Sequence, residues 1–232
     1  MSSSFYLHLA AVVTLSLSCG SVLAAETPHY RLDPVHTRVM FVIDHAGFSK
    51  AIGTVSGTTG SLSFDPDHWA DAGLRASVPI ARIDMGDAAW NKAVLAGNLL
   101  DADDHPTAEF VSTRVEPLAA DHATVRGMLT LHGVSREVSL DVKFNAAKRH
   151  PLPPFRRTAG FSATTTISRK DFGIDAWPSV IGDAVELRIE AEATRSRAGD
   201  KPDATDAPID DSSPADVVDS GASPAATMEP TP

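Results

Sequence analysis

Cysteine is nearly absent. Only Cys19 occurs in 232 residues, and it lies inside an apolar N-terminal stretch. No disulfide framework, thiolate metal site or thiol catalysis is therefore available to the rest of the chain. Basic residues are also in deficit: 20 Lys and Arg face 30 Asp and Glu, for a net charge of −10. Nucleic acid demands a basic footprint, so it is excluded as a partner. No Gly-x-Ser-x-Gly elbow occurs, and no phosphate-cradling Gly-rich loop ending in Lys and Ser or Thr, which removes two large enzyme classes. The 9 histidines include no His-x-His and no His-x-x-x-His pair. No internal repeat is evident.

Two terminal segments differ from the middle. "SFYLHLAAVVTLSLSCGSVLAA" is an uncharged apolar run followed by small residues, the layout of a secretory leader. It is too short and too Ser-rich for a membrane span. Cleavage is expected near Ala24 or Ala25, so residues 1–25 are read as a signal peptide and the mature chain as exported to an oxidising compartment. A lipoprotein site would place an aliphatic residue three before Cys19, where Ser16 stands. At the other end, residues 196–232 hold no aromatic residue, six prolines, and eight acidic residues against Arg197 and Lys201. That composition buries too little apolar surface to offset the entropy of ordering, and it reads as a disordered acidic tail.

Between them, residues 26–195 alternate with period two. "RVMFVIDH" sets Val39, Phe41, Ile43 and His45 on one parity. "REVSLDVKF" sets Val138, Leu140, Val142 and Phe144 against Glu137, Ser139, Asp141 and Lys143. "LRASVPI", "GSLSFDP", "TVRGMLTLHG", "FSATTTISR" and "AVELRIEAEA" behave alike. β-Branched and aromatic residues in strict alternation indicate strands with one apolar and one wet face. His132-Gly133 between two such runs is a tight-hairpin signal. "DAAWNKAVLAGNLLD" alone shows helical spacing, with Asp87 as N-cap and Gly97 as terminator.

About eight strands, each apolar on one face, need that face covered, and one short helix cannot do it. Closing the sheet hides the face and removes both edges. The expected fold is therefore all-β, an antiparallel eight-stranded barrel with a short helical segment. Such an interior is either filled by side chains or holds one small ligand, and the pattern alone leaves both open.

Candidate polar residues are few. His36 and His45 are nine positions apart. On a regular strand they face opposite sides, roughly 30 Å apart at about 3.3 Å per residue, and cannot share a metal. "DADDHPTAEF" fails as an EF-hand loop, because Pro106 and Ser112 occupy positions that need Gly and Glu, and it reads as a solvated loop. No metal site is expected. Arg169 falls on the inward parity, where a charge is costly unless matched; Asp171 or another carboxylate is its expected partner, with a ligand's polar head as the other option.

Four stretches in order resemble the YceI-like family of lipid- or polyisoprenoid-binding proteins. They are "YRLDPVHTRVMFVIDHAGFSKAIGTVSG", "HPTAEFVST", "GMLTLHGVSREVSLDV" and "GFSATTTISRKDFGI". The resemblance covers about residues 29–194. It implies a periplasmic or secreted lipocalin-like barrel with an elongated apolar cavity for an isoprenoid chain, such as a quinone tail or a polyprenyl phosphate. Two departures stand out. The stretch from Leu95 to Phe110 is one residue short of the family pattern, and Asn91-Lys92 replaces an Arg-Asp that often opens the helix.

The strand parity nominates Phe41, Ile43, Phe64, Phe110, Leu129, Leu140, Phe161 and Ile167 as ligand-binding. His45, Trp90, Leu99 and Arg169 complete the set. No catalytic constellation accompanies them, so binding follows by elimination, with no cofactor beyond a bound lipid. The rivals are an enzyme acting on such a lipid through His45 or Arg169, and a filled-barrel structural or stress protein. Transient membrane contact and a homodimer are compatible with either. From the tail's composition, a mature chain shortened to end at Arg195 is expected to melt within a few degrees of the full mature chain, as measured by circular dichroism.

Overall fold

Period-two alternation over most of the folded region produces one antiparallel sheet of eleven strand segments. The computed structural model describes residues 27–197 and 200. The leader over 1–25, with Cys19, and nearly all of the acidic tail lie outside the described residues. The segments are β1 (His29–Leu32), β2 (Arg38–His45), β3 (Ser49–Ser56), β4 (Thr59–Ser63), β5 (Gly73–Pro79), β6 (Ile83–Asp84), β7 (Thr107–Ala119), β8 (His122–Leu131), β9 (Val134–Arg149), β10 (Arg157–Ser168) and β11 (Ile181–Arg195), with helix α1 (Ala88–Leu95) between β6 and β7.

The eleven segments make eight walls. β1 continues into β2, β3 into β4, and β5 into β6, each pair interrupted by a kink. β2 pairs with β3, and β1 with β4. β5 follows β4, while β6 returns to β3. β7 to β11 are single long strands in up-and-down order. β11 then pairs with β2 along its first part and with β1 along its last, Tyr30 opposite Arg195 and Leu32 opposite Ala193. That last pairing closes the sheet into an eight-stranded antiparallel barrel, as the alternation required.

The kinks have local causes. Between β1 and β2 the Asp33 carboxylate accepts the Val35 N–H at 2.8 Å and the His36 N–H at 3.3 Å, an Asx turn. His36 thus sits in a turn, not on the strand that carries His45, so the two are separated by a bend and not by strand parity. Its Nδ1 lies 2.8 Å from Asp33, and that hydrogen bond and charge hold the imidazole above its usual pKa. Beside it, Gly57 at φ +82° kinks the β3–β4 wall and donates its N–H to Pro34 at 3.1 Å. The predicted hairpin joins β8 to β9 with both His132 (φ 51°) and Gly133 (φ 72°) in the left-handed region, the backbone of a two-residue primed turn.

Two inward glycines govern how the walls are dressed. A Cβ on Gly53 would stand 2.3 Å from the Phe41 ring, and one on Gly127 would stand 2.4 Å from the Phe110 ring. The outer edge of each ring reaches over a glycine on the neighbouring strand. With Ala51, Ala76, Ala108 and Ala163 also buried on the inner faces, the large side chains hug the wall. Gly127→Ala is expected to overpack this contact, because Val111 O is also only 2.5 Å from the new carbon. The loss should be about 1–3 kcal/mol, read from the midpoint of urea unfolding.

Candidate functional site

Small residues and wall-hugging rings leave the barrel hollow, with a cavity of about 550 Å³. All twelve residues nominated from sequence line it. Phe41 and Ile43 come from β2, Phe64 from the end of β4, Phe110 from β7, Leu129 from β8, Leu140 from β9, and Phe161 and Ile167 from β10. His45, Trp90, Leu99 and Arg169 gather at the end carrying α1. Phe41, Ile43, Leu129, Phe161 and Ile167 face inward yet are only half-buried, because the space before them is unfilled.

The two ends differ. The floor lies under the β4–β5 connection, where Phe64 (1% exposed) meets Trp69 (7% exposed). Phe64 packs edge-on to Trp69 at 5.2 Å and to Phe161 at 5.0 Å, and tilts against Phe144 at 5.1 Å. Edge-to-face pairs of this kind each add about 0.5–1.5 kcal/mol beyond area burial. At the opposite end Trp90, Trp177 and Val180 line the cavity while 44%, 50% and 40% exposed. The cavity therefore reaches solvent at this mouth and is sealed at the floor.

Three elements frame the mouth. Helix α1 is set by Asp87, whose carboxylate accepts the N–H groups of Ala89 (2.9 Å) and Trp90 (3.1 Å), the predicted N-cap. The predicted terminator differs: the helix already ends at Ala96 in an extended conformation, before Gly97 is reached. Trp90 extends from α1 over His45, ring centroids 5.4 Å apart. The Ala46 N–H donates to Val180 O at 2.6 Å, tying the β2–β3 turn to the segment before β11. Leu99 lies past the helix and joins Phe172 and Ile174 in a separate apolar cluster under the rim.

Arg169 corrects the sequence expectation. Its partners are main-chain carbonyls, not Asp171. Nε donates to Gly182 O (2.8 Å), Nη1 to Ile174 O (2.8 Å) and Nη2 to Ile181 O (3.0 Å). Asp171 is exposed, whereas Arg169 is 4% exposed. The turn after β10 aims these carbonyls inward, where only a planar, multi-donor group satisfies them together. Sequence spacing could not show this, since backbone acceptors carry no residue signature. The fork has more N–H donors than three carbonyls consume. Next to it, Asp183 accepts from the Ser168 hydroxyl (2.9 Å) and the Lys170 N–H (3.2 Å). Burial pushes that carboxyl up, but those hydrogen bonds outweigh it and hold the pKa below the usual range.

Other lining residues went unnoticed in the sequence. Thr37 and Ser112 are buried and bonded, Thr37 Oγ1 donating to Glu192 O (3.3 Å) and Ser112 Oγ accepting the Leu74 N–H (2.8 Å). Thr58 Oγ1 and Trp69 Nε1, both buried on the cavity wall, have no hydrogen-bond partner among the described residues. The run of Gly and Ala at inward parity was the readable signal for a hollow interior.

Residues 30–193 match the YceI-like domain family. The chain is 32% identical over 189 residues to a UPF0312 protein of Pseudomonas putida, covering 81% of this chain and 95% of that protein. It is 34% identical over 196 residues to one of Pseudomonas fluorescens, with 81% and 96% covered. Among solved structures, Burkholderia cenocepacia BcnA superposes with TM-score 0.63 at 23% identity, over 70% of this chain and 99% of that one. A polyisoprenoid binding domain from Saccharophagus degradans superposes with TM-score 0.55 at 14% identity, over 74% and 100%. The chain belongs to the YceI-like family, and the structural likenesses bear on the fold.

Arg169→Met keeps the side chain's bulk but orphans three carbonyls. At about 1–3 kcal/mol for each buried acceptor left unpaired, a loss of at least 3 kcal/mol is expected in urea unfolding, with Arg169→Lys intermediate.

Proposed function

We propose that this YceI-like protein is a periplasmic or secreted carrier that holds the apolar chain of an isoprenoid lipid inside its barrel. The observation that carries the reading is the hollow, apolar cavity of about 550 Å³, sealed by an aromatic floor and open at one end. Its size falls within the roughly 300–1,000 Å³ of small-molecule sites, which combine apolar walls with a few polar groups. Withdrawing a hydrocarbon chain from water gains about 0.8 kcal/mol per CH₂, so retention needs no covalent chemistry.

The ends of the cavity suggest how such a ligand lies. The floor is apolar, built around Phe64, Trp69 and Phe161, with the Trp69 N–H its unpartnered polar group among the described residues, so the tail goes in first. The mouth carries His45 and the spare donors of Arg169, which suit a quinone carbonyl or a polyprenyl phosphate. Around that mouth Phe48 (93% exposed), Trp90, Trp177 and Val180 form an apolar collar. The collar supports brief contact with a lipid surface as the loading step. An enzymatic reading is disfavoured by the same geometry: Arg169 is engaged by carbonyls, and the His45 ring tilts against Trp90 with no orienting hydrogen bond among the described residues.

Ile43→Asp tests this reading. A carboxylate in a filled core costs many kcal/mol, whereas on the wall of a water-accessible cavity it is tolerated. The expected outcome is a folded variant, judged by circular dichroism, that no longer copurifies with lipid or takes up a fluorescent isoprenoid. A folded variant that still binds would overturn the lumen as the binding site.

A further inference from the structure

We propose that Asp101, His105 and His132 form a binding site for a divalent transition-metal ion of the zinc class on the rim of the barrel mouth. No step of the carrier reading uses these three residues, and the proposal stands apart from it.

The residues come from two segments. Asp101 and His105 belong to the connection from α1 to β7; His132 is the first residue of the β8–β9 turn. Folding brings a carboxylate oxygen and two imidazole nitrogens within 4.8 Å of one another, all three residues half-buried. The His105 and His132 rings meet edge to face at 5.0 Å. Bonds of about 2.1 Å in tetrahedral geometry set ligand atoms roughly 3.4 Å apart, so modest inward movement of side chains completes the site.

What these groups lack is as telling as where they are. Among the described residues, neither the Asp101 carboxylate nor the His105 ring has a hydrogen-bond or ion-pair partner. A half-buried carboxylate beside two imidazoles ordinarily bonds one of them. Here the three converge within 4.8 Å without a hydrogen bond among them. His132 is oriented from behind: its Nδ1 lies 3.2 Å from Phe172 O. That carbonyl can only accept, so Nδ1 carries the proton and Nε2 is left as the open nitrogen. A backbone carbonyl behind a ligating histidine is the usual outer support of a metal site.

The scaffold is fixed in advance. Asp101 donates its N–H to Ala96 O (3.1 Å), and its own carbonyl accepts the His105 N–H (2.8 Å). Gly133 lets His105 lie against the turn, since a Cβ there would stand 2.7 Å from the ring. Two imidazoles and one carboxylate, with a coordination position left to water, suit zinc, nickel, cobalt or copper(II), and suit calcium or magnesium poorly. A bound ion would pin the segment carrying Leu99 to the β8–β9 turn, and so fasten one lip of the mouth.

Isothermal titration of the untagged full mature chain with zinc chloride at neutral pH tests the site. Expected is one saturable site of micromolar affinity or tighter. His105→Gln, His132→Gln and Asp101→Asn should each weaken it at least tenfold, and His36→Ala should leave it unchanged. Histidine ring NMR signals of the unaltered protein provide a readout independent of any variant's folding: zinc should move those of His105 and His132. No saturable site, or zinc moving other histidines instead, overturns the proposal.

Discussion

Closure of the sheet by the short β1–β11 pairing is the constraint on which the rest depends. It fixes which face of every strand is inside and commits every inward side chain to one shared space. Eight walls enclose room that large side chains could fill. Here Gly53 and Gly127 receive the Phe41 and Phe110 rings sideways, and alanines occupy many of the other inward positions. The same pairing that protects the apolar faces from water thus creates a void among them. Stability is drawn from the wall-to-wall contacts and the aromatic floor, while the centre is left for something else.

The mouth resolves a conflict between burial and charge without ion pairing. A guanidinium under the rim is satisfied by backbone carbonyls, which solvate it without cancelling its field. Nearby, hydrogen bonds from Ser168 and Lys170 outweigh the partial burial of Asp183 and hold its pKa down. The region around the opening is therefore polar underneath and apolar at its lip. That arrangement lets an amphipathic molecule place its two halves without stranding either.

Strand parity was legible because it is a local rule that the fold leaves intact. Each of Phe41, Ile43, Phe64, Phe110, Leu129, Leu140, Phe161 and Ile167 was assigned inward and is found on the lumen. The Asp87 cap and the His132-Gly133 turn were readable for the same reason: both act over three or four residues. What was not legible is what depends on convergence. The partners of Arg169 are carbonyls of whatever residues the turn supplies, so no side chain announced them. The Asx turn at Asp33 removed His36 from the strand, which an alternation argument could not register. Asp101 and His105 acquire His132 only through the barrel, and spacing rules look for ligands along the chain. The hollow interior lay between these cases, written in the frequency of inward Gly and Ala but decided by how rings lie on them.

The chain's 3 tryptophans are placed at the two ends of the cavity. Trp69 stands in the dry floor among phenylalanines, and Trp90 and Trp177 stand at the wet lip. Indole emission depends on the polarity of its surroundings, so the molecule carries an optical depth gauge: blue light from the bottom, redder light from the rim. With the two rim indoles changed to phenylalanine, the remaining signal would come from the floor alone. Its change on adding a ligand would then tell how far down the ligand's end has travelled.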